Sequence, residues 1–259
     1  MKHYLPLICL VLLFAGLWLP LGQHDFLIPH WMKVGTFLAP VLLLMWFSEG
    51  RNQSERVDFR GMSVVMLALY IAHQFEEHWF DVFGQYYAFY QSVNALLAGV
   101  LGQEAEGFEV LTPLSIFVIN TSLVWLVGFT AIQFSATTRF PALAMNGIIL
   151  VNAGTHLLAA IAKQAYNPGT LTSVILFIPF SIYFYRLVLI TKSATRFEVL
   201  ASLAWAVSAH VLMVGGLIAA NWLHVFPEIY YLIALVVWSL VPACAFRMNG
   251  KHKKIETNP

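Results

Sequence analysis

The sequence predicts an all-α fold: a polytopic bundle of about eight transmembrane helices, with both termini in the cytoplasm. Three observations carry that prediction. Of the 259 residues, 59% are hydrophobic and only 10% charged, where a soluble domain carries about 25%. The apolar residues run in blocks that fit a bilayer crossing of roughly 17–25 residues, without the alternation of barrel strands. The basic residues, finally, fall almost entirely on one side of those blocks.

Taken in order, the spans cover about 4–21, 34–48, 62–80, 112–134, 141–163, 170–190, 197–220 and 226–246. The first follows Lys2 and resembles a signal peptide, but LPLGQHD offers only Gly22 as a small residue for cleavage, so it reads as an uncleaved anchor. The second, VGTFLAPVLLLMWF, is short and carries Pro40. Gly128, Gly154, Pro179, Gly215 and Gly216 lie inside later spans, where neighbouring helices re-satisfy freed backbone groups. Between spans three and four, QYYAFYQSVNALLAGVLG suits an interfacial helix with Tyr86, Tyr87, Phe89 and Tyr90 at headgroup level.

With a cytoplasmic N-terminus, all but Lys33 and Lys163 of the 14 basic residues face the cytoplasm, as the positive-inside rule requires. The basic tail at 247–259 completes that bias and can touch anionic lipid. The chain reads as one membrane domain, 1–259, without internal repeats. A net charge of +1 argues against a nucleic-acid partner, and Cys9 and Cys244 lack metal-ligand spacing.

The third span ends in AHQFEEHWFD, residues 72–81, where an apolar run meets five titratable groups. On a helix, His73 shares a face with Glu76 (i+3) and Glu77 (i+4), with Asp81 at its edge and His78 pointing elsewhere. A charge in a span costs roughly 2.5–3.5 kcal/mol at the bilayer centre and marks a functional site by default. Other spans carry polar groups at a similar depth in the outer half: Asn120 in the fourth, Asn152 and His156 four residues apart in the fifth, and His210 in the seventh. His24, His30 and His224 fall in loops and carry no assigned role.

HQFEE at 73–77 and NAGTHLLAAIAKQAYNPGTLTSVILFIP at 152–179 resemble the HXXEE-domain integral membrane proteins, a bacterial family of uncharacterised function. The resemblance runs from about residue 62 to 190 and implies a membrane fold but no reaction.

The residues point first to a metal-dependent membrane hydrolase. His73, Glu77, His156 and His210 supply donors for one zinc, iron or manganese ion. Glu76, Glu77 and His156 are the catalytic candidates, and Asn120, Asn152, His78 and Asp81 support them. The substrate would be a lipid or a membrane-embedded peptide in the surrounding bilayer. HExxH is absent, and Glu77 stands where the inverse motif H-x-x-E-H has its second histidine. Three alternatives stay open. The paired glutamates resemble the metal-free CAAX-type intramembrane proteases, whose Glu-Glu-x-x-x-Arg is broken here by Asp81. Intramembrane Glu and His also build proton-coupled transporters, and such groups can simply hold helices together.

Overall fold

The computed structural model describes residues 24–49 and 56–245, and every extended element among them is helical. We number eight continuous helices: α1 (His24–Glu49), α2 (Phe59–His78), α3 (Ala88–Leu101), α4 (Pro113–Phe134), α5 (Phe140–Lys163), α6 (Thr170–Ile190), α7 (Arg196–Trp222) and α8 (Glu228–Ala245). The predicted first span and the basic tail lie outside the described residues. His24 and His30, expected in a loop, fall within α1, which starts ten residues before the span at 34–48.

Four of these helices, α4 to α7, are long and apolar enough to cross a membrane. Of the eight expected spans, these four are the ones that the described residues show. The polar last turns of α2 dilute its apolar run, and α1 and α8 contribute only shorter apolar stretches, His30–Leu44 and Glu228–Cys244.

The helix ends follow from local chemistry. Asp58 caps α2 by accepting from Gly61 N at 2.9 Å. Thr112 caps α4 through Ser115 N, with Pro113 in the first turn, where its missing N–H costs nothing. Thr195 and Glu198 form a reciprocal capping box on α7. Glu198 also receives Arg139 in a two-pronged ion pair at 2.9 and 3.1 Å, tying the start of α5 to that of α7. Arg56 donates to Thr191 O at the same end of the bundle, so Arg56, Arg139 and the α6–α7 turn with Lys192 cluster there. Lys163 lies at the opposite end, at the last turn of α5.

The bundle is built around α4, whose apolar window is 94% buried, against 33% for α6 and 39% for α7. The outer faces of α6 and α7 instead present Ile175, Ile182, Ile190, Leu200, Val207 and Val211, the surface expected next to lipid tails. α2 packs between α1, α4 and α5 and turns its polar residues inward.

Three of the four long helices contain a π-helical turn: Asn120–Leu126 in α4, Ser173–Phe177 in α6 and Ile218–Trp222 in α7. In α4 the cause is visible. Asn120, Thr121 and Ser122 each return a side-chain hydrogen bond to the carbonyl four residues back, at 2.8, 2.8 and 2.6 Å, competing with the backbone ladder.

Adjacent glycines in α7 give a clean test of packing. A Cβ on Gly216 would sit 2.6 Å from Tyr231 Cε2 on α8, whereas one on Gly215 meets open space. Gly216→Ala should cost about 1–3 kcal/mol by overpacking, and Gly215→Ala should be silent in detergent melts. Equal melting of the two variants would contradict this α7–α8 contact.

Candidate metal centre

The last two turns of α2 build the centre. Glu77 is 4% exposed, and its carboxylate is met by three imidazoles: His156 Nε2 lies 2.9 Å from Oε1, His73 Nε2 3.4 Å from Oε2 and His78 Nε2 3.5 Å from Oε2. One ligand atom each from His73, Glu77 and His156 lie within 4.8 Å of one another, and all three residues are buried. The His73 and His156 rings stand nearly perpendicular, with centroids 4.8 Å apart. Phe177 and Tyr70 pack on His73, Phe89 on His156 and His78, and Trp31 on His78. The centre is thus a polar knot in an aromatic box, and at low local dielectric each of its contacts matters more than it would in water.

The loop before α6 closes the box. Gly169 has φ +89°, and a Cβ there would lie 2.6 Å from His156 Cε1 and 2.8 Å from both His156 Nδ1 and His73 Cε1. Only glycine allows the backbone this close to both rings.

The outer nitrogens of the rings are held in turn. The Thr172 hydroxyl donates its single proton to Glu76 Oε2 at 2.5 Å, so it accepts from His73 Nδ1 at 2.7 Å. That leaves the His73 Nε2 lone pair directed into the centre, where Asn152 Nδ2 approaches to 2.9 Å. On the other side, Asn167 Oδ1 accepts from Ser92 Oγ and Lys163 Nζ. Its amide nitrogen therefore faces His156 Nδ1 at 3.1 Å, and His156 Nε2 carries the proton shared with Glu77.

The two adjacent glutamates part company. Glu76 turns away from the centre and accepts from Tyr166 OH (2.8 Å), Leu171 N (3.1 Å), Thr172 N (2.8 Å) and the Thr172 hydroxyl. It caps the start of α6, whose own N-cap is Gly169 and has no side chain to do so. A carboxylate there also meets the positive end of the helix dipole. Burial, and then the hydrogen bond to Glu76, hold the Tyr166 hydroxyl well above its ordinary pKa, so it remains a donor.

The structure brings together His73, Glu77 and His156, with His78 beside them, and separates other expected members. His78 was expected to point elsewhere but curls back onto Glu77. His210 stands apart from the three-residue cluster and donates from Nδ1 to Ala206 O of its own helix at 2.9 Å. Asp81 Oδ1 closes the turn after α2 by accepting from Phe83 N and Gln85 N. The hydrogen bond of the Asn152 amide nitrogen goes to His73 Nε2. Asn120 joins a buried chain in which Trp125 Nε1 donates to Gln74 Oε1, Gln74 Nε2 donates to Asn120 Oδ1, and the Asn120 amide nitrogen lies 3.2 Å from His78 Nε2. Thr172, Asn167, Tyr166, Gly169 and Gln74 were not anticipated. The first four belong to the quoted YNPGTLT segment, whose Asn-Pro-Gly turn is the signal that was available.

Residues 64–184 match the model of a family described as a protein of unknown function with HXXEE motif. The matched segment contains every polar residue of the centre and the loop that closes it. Neither the curated proteins nor the solved structures compared with the chain gave a match.

Proposed function

We propose, from the premise that residues 64–184 carry the HXXEE family's defining region, that this protein is a metal-dependent membrane hydrolase acting on a lipid or membrane-embedded substrate. The supporting observation is the buried His73–Glu77–His156 cluster. Two imidazoles and one carboxylate are the donor set of catalytic zinc sites that keep a fourth position open, and of facial-triad iron sites. An ion held there would supply Lewis-acid chemistry, making water acidic enough to ionise near neutral pH and polarising a carbonyl.

The surrounding residues support this assignment in distinct ways. Thr172 and Glu76 fix His73 with Nδ1 protonated, the tautomer that leaves Nε2 available to an ion. His156 would offer Nε2, which shares its proton with Glu77 at 2.9 Å, while Asn167 at Nδ1 holds the ring in place. Glu76 is a positioning residue in this reading, since both of its oxygens are already engaged. His210 and Asp81 play no part in holding the ion. In the bilayer we place eight spans with both termini cytoplasmic. The arginine-bearing end is then inside, and the centre lies in the outer half, roughly 10 Å below Lys163 along α5.

Elemental analysis of the detergent-purified protein tests this reading, beside Glu77→Ala and His156→Ala. Near-stoichiometric zinc, iron or manganese in the wild type is expected, lost in both variants while each stays folded. A wild type that holds no metal even after reloading would sink it.

A further inference from the structure

A cavity of about 560 Å³ opens at the Lys163 end of the bundle, lined by Asp81, Phe83, Gln91, Lys163, Tyr166 and Pro168 among others. It adjoins the centre through two short chains of contacts. Lys163 holds Asn167, which holds His156, and Tyr166 donates to Glu76. Its described lining contains one cation, Lys163, and one carboxylate, Asp81. These two are not paired with each other, and each keeps bonding capacity. Lys163 Nζ donates to Ser92 Oγ and to Asn167 Oδ1, which leaves the third N–H of its ammonium. Asp81 receives both of its backbone donors on Oδ1, and Oδ2 has no hydrogen-bond partner among the described residues.

One positive and one negative anchor in a single cavity match a ligand that carries both charges. The rim says where that ligand comes from. Val82, Phe83, Tyr86 and Tyr87 are exposed around the turn that forms one wall, and aromatic residues of this kind settle at the headgroup level of a membrane. The volume lies within the range of small-molecule sites, roughly 300–1,000 Å³.

We infer that this cavity seats the headgroup of a zwitterionic phospholipid with a primary amine, of the phosphatidylethanolamine type. The phosphate takes the remaining N–H of Lys163, and the ammonium donates to Asp81 Oδ2. The lipid's glycerol backbone then lies on the side of Asn167 and Tyr166, above His73 and His156. That such a lipid is also the substrate rests on the hydrolase reading; that it occupies the cavity does not.

Native mass spectrometry of the full chain, titrated separately with phosphatidylethanolamine, phosphatidylglycerol and phosphatidylcholine, tests the inference. The wild type is expected to retain phosphatidylethanolamine best. Lys163→Met should weaken that retention roughly tenfold, the worth of one charge-assisted hydrogen bond, and Lys163→Arg should restore most of it. Asp81→Asn keeps the turn-closing oxygen and should erase the preference for phosphatidylethanolamine over phosphatidylglycerol. Equal retention by wild type and Lys163→Met, or no headgroup preference in the wild type, overturns the proposal. Binding of free phosphoethanolamine as tight as that of the lipid overturns its membrane source. Metal content measured on the same samples separates the two readings. Lys163-dependent retention without metal upholds the headgroup site and sinks the centre, whereas metal without Lys163 dependence does the reverse.

Discussion

Gly169→Ala should abolish metal binding and lower the melting temperature more than any other single-methyl addition in the described residues. Three costs converge on that one atom. The backbone sits at φ +89°, where an L side chain is strained by about 1–2 kcal/mol. The new Cβ would press on the His156 ring at 2.6 Å and on the His73 ring at 2.8 Å, and overpacking of this kind costs about 1–3 kcal/mol more. Neither ring has room to retreat. His73 is pinned by Thr172 and packed on Phe177, while His156 is pinned by Asn167 and packed on Phe89. Gly154→Ala on α5, where an added Cβ meets nothing within 4 Å, is the matched control. A Gly169→Ala protein with wild-type melting and metal content would show that the loop does not seat against the two rings as described.

Glu76→Ala and Glu77→Ala should fail in opposite ways, although the residues are neighbours with the same side chain. Glu76→Ala removes the acceptor of Tyr166 OH, Leu171 N and Thr172 N at once. Losing more than one charge-assisted hydrogen bond at a buried helix start should cost at least ~3 kcal/mol. Its metal should weaken but persist, by about 10–100-fold, the usual effect of removing a group that orients a ligand. Glu77→Ala should lose the metal outright, with the smaller stability loss of the two. Parallel melts and metal titrations check the pair. The assignment fails if Glu77→Ala keeps its metal, or if Glu76→Ala melts like the wild type.

That contrast also shows where sequence reading stops. Apolar block length and the scarcity of charge predict an all-helical chain, and the helices from 113 to 222 fall within a few residues of the predicted spans. Helical spacing joins His73 to Glu77 on one face, whereas the approach of His156 from α5 to 2.9 Å of Glu77 is a matter of packing. Spacing cannot tell Glu76 from Glu77, because consecutive helical residues differ by only about 100°, so which neighbouring helix each one meets depends on the packing of the whole bundle. For the same reason it misjudged His78: a wheel gives the direction of Cβ, and the long side chains of a last turn reach beyond it. The loop residues Tyr166, Asn167 and Gly169 have no periodicity at all, and their importance comes from which rings they touch.

The cap that Glu76 places on α6 has a consequence for how the protein is made. Its partner Thr172 follows 96 residues later in the chain. While the ribosome is still delivering those residues, α2 carries His73, Glu76 and Glu77 with no one to bond. In a membrane those groups are costly to leave unpaired. The polar end of α2 can therefore pair fully only once α5 and the start of α6 are in place. A chain truncated before Asn167 would leave that acidic, histidine-bearing helix end without the partners that bury it in the full protein.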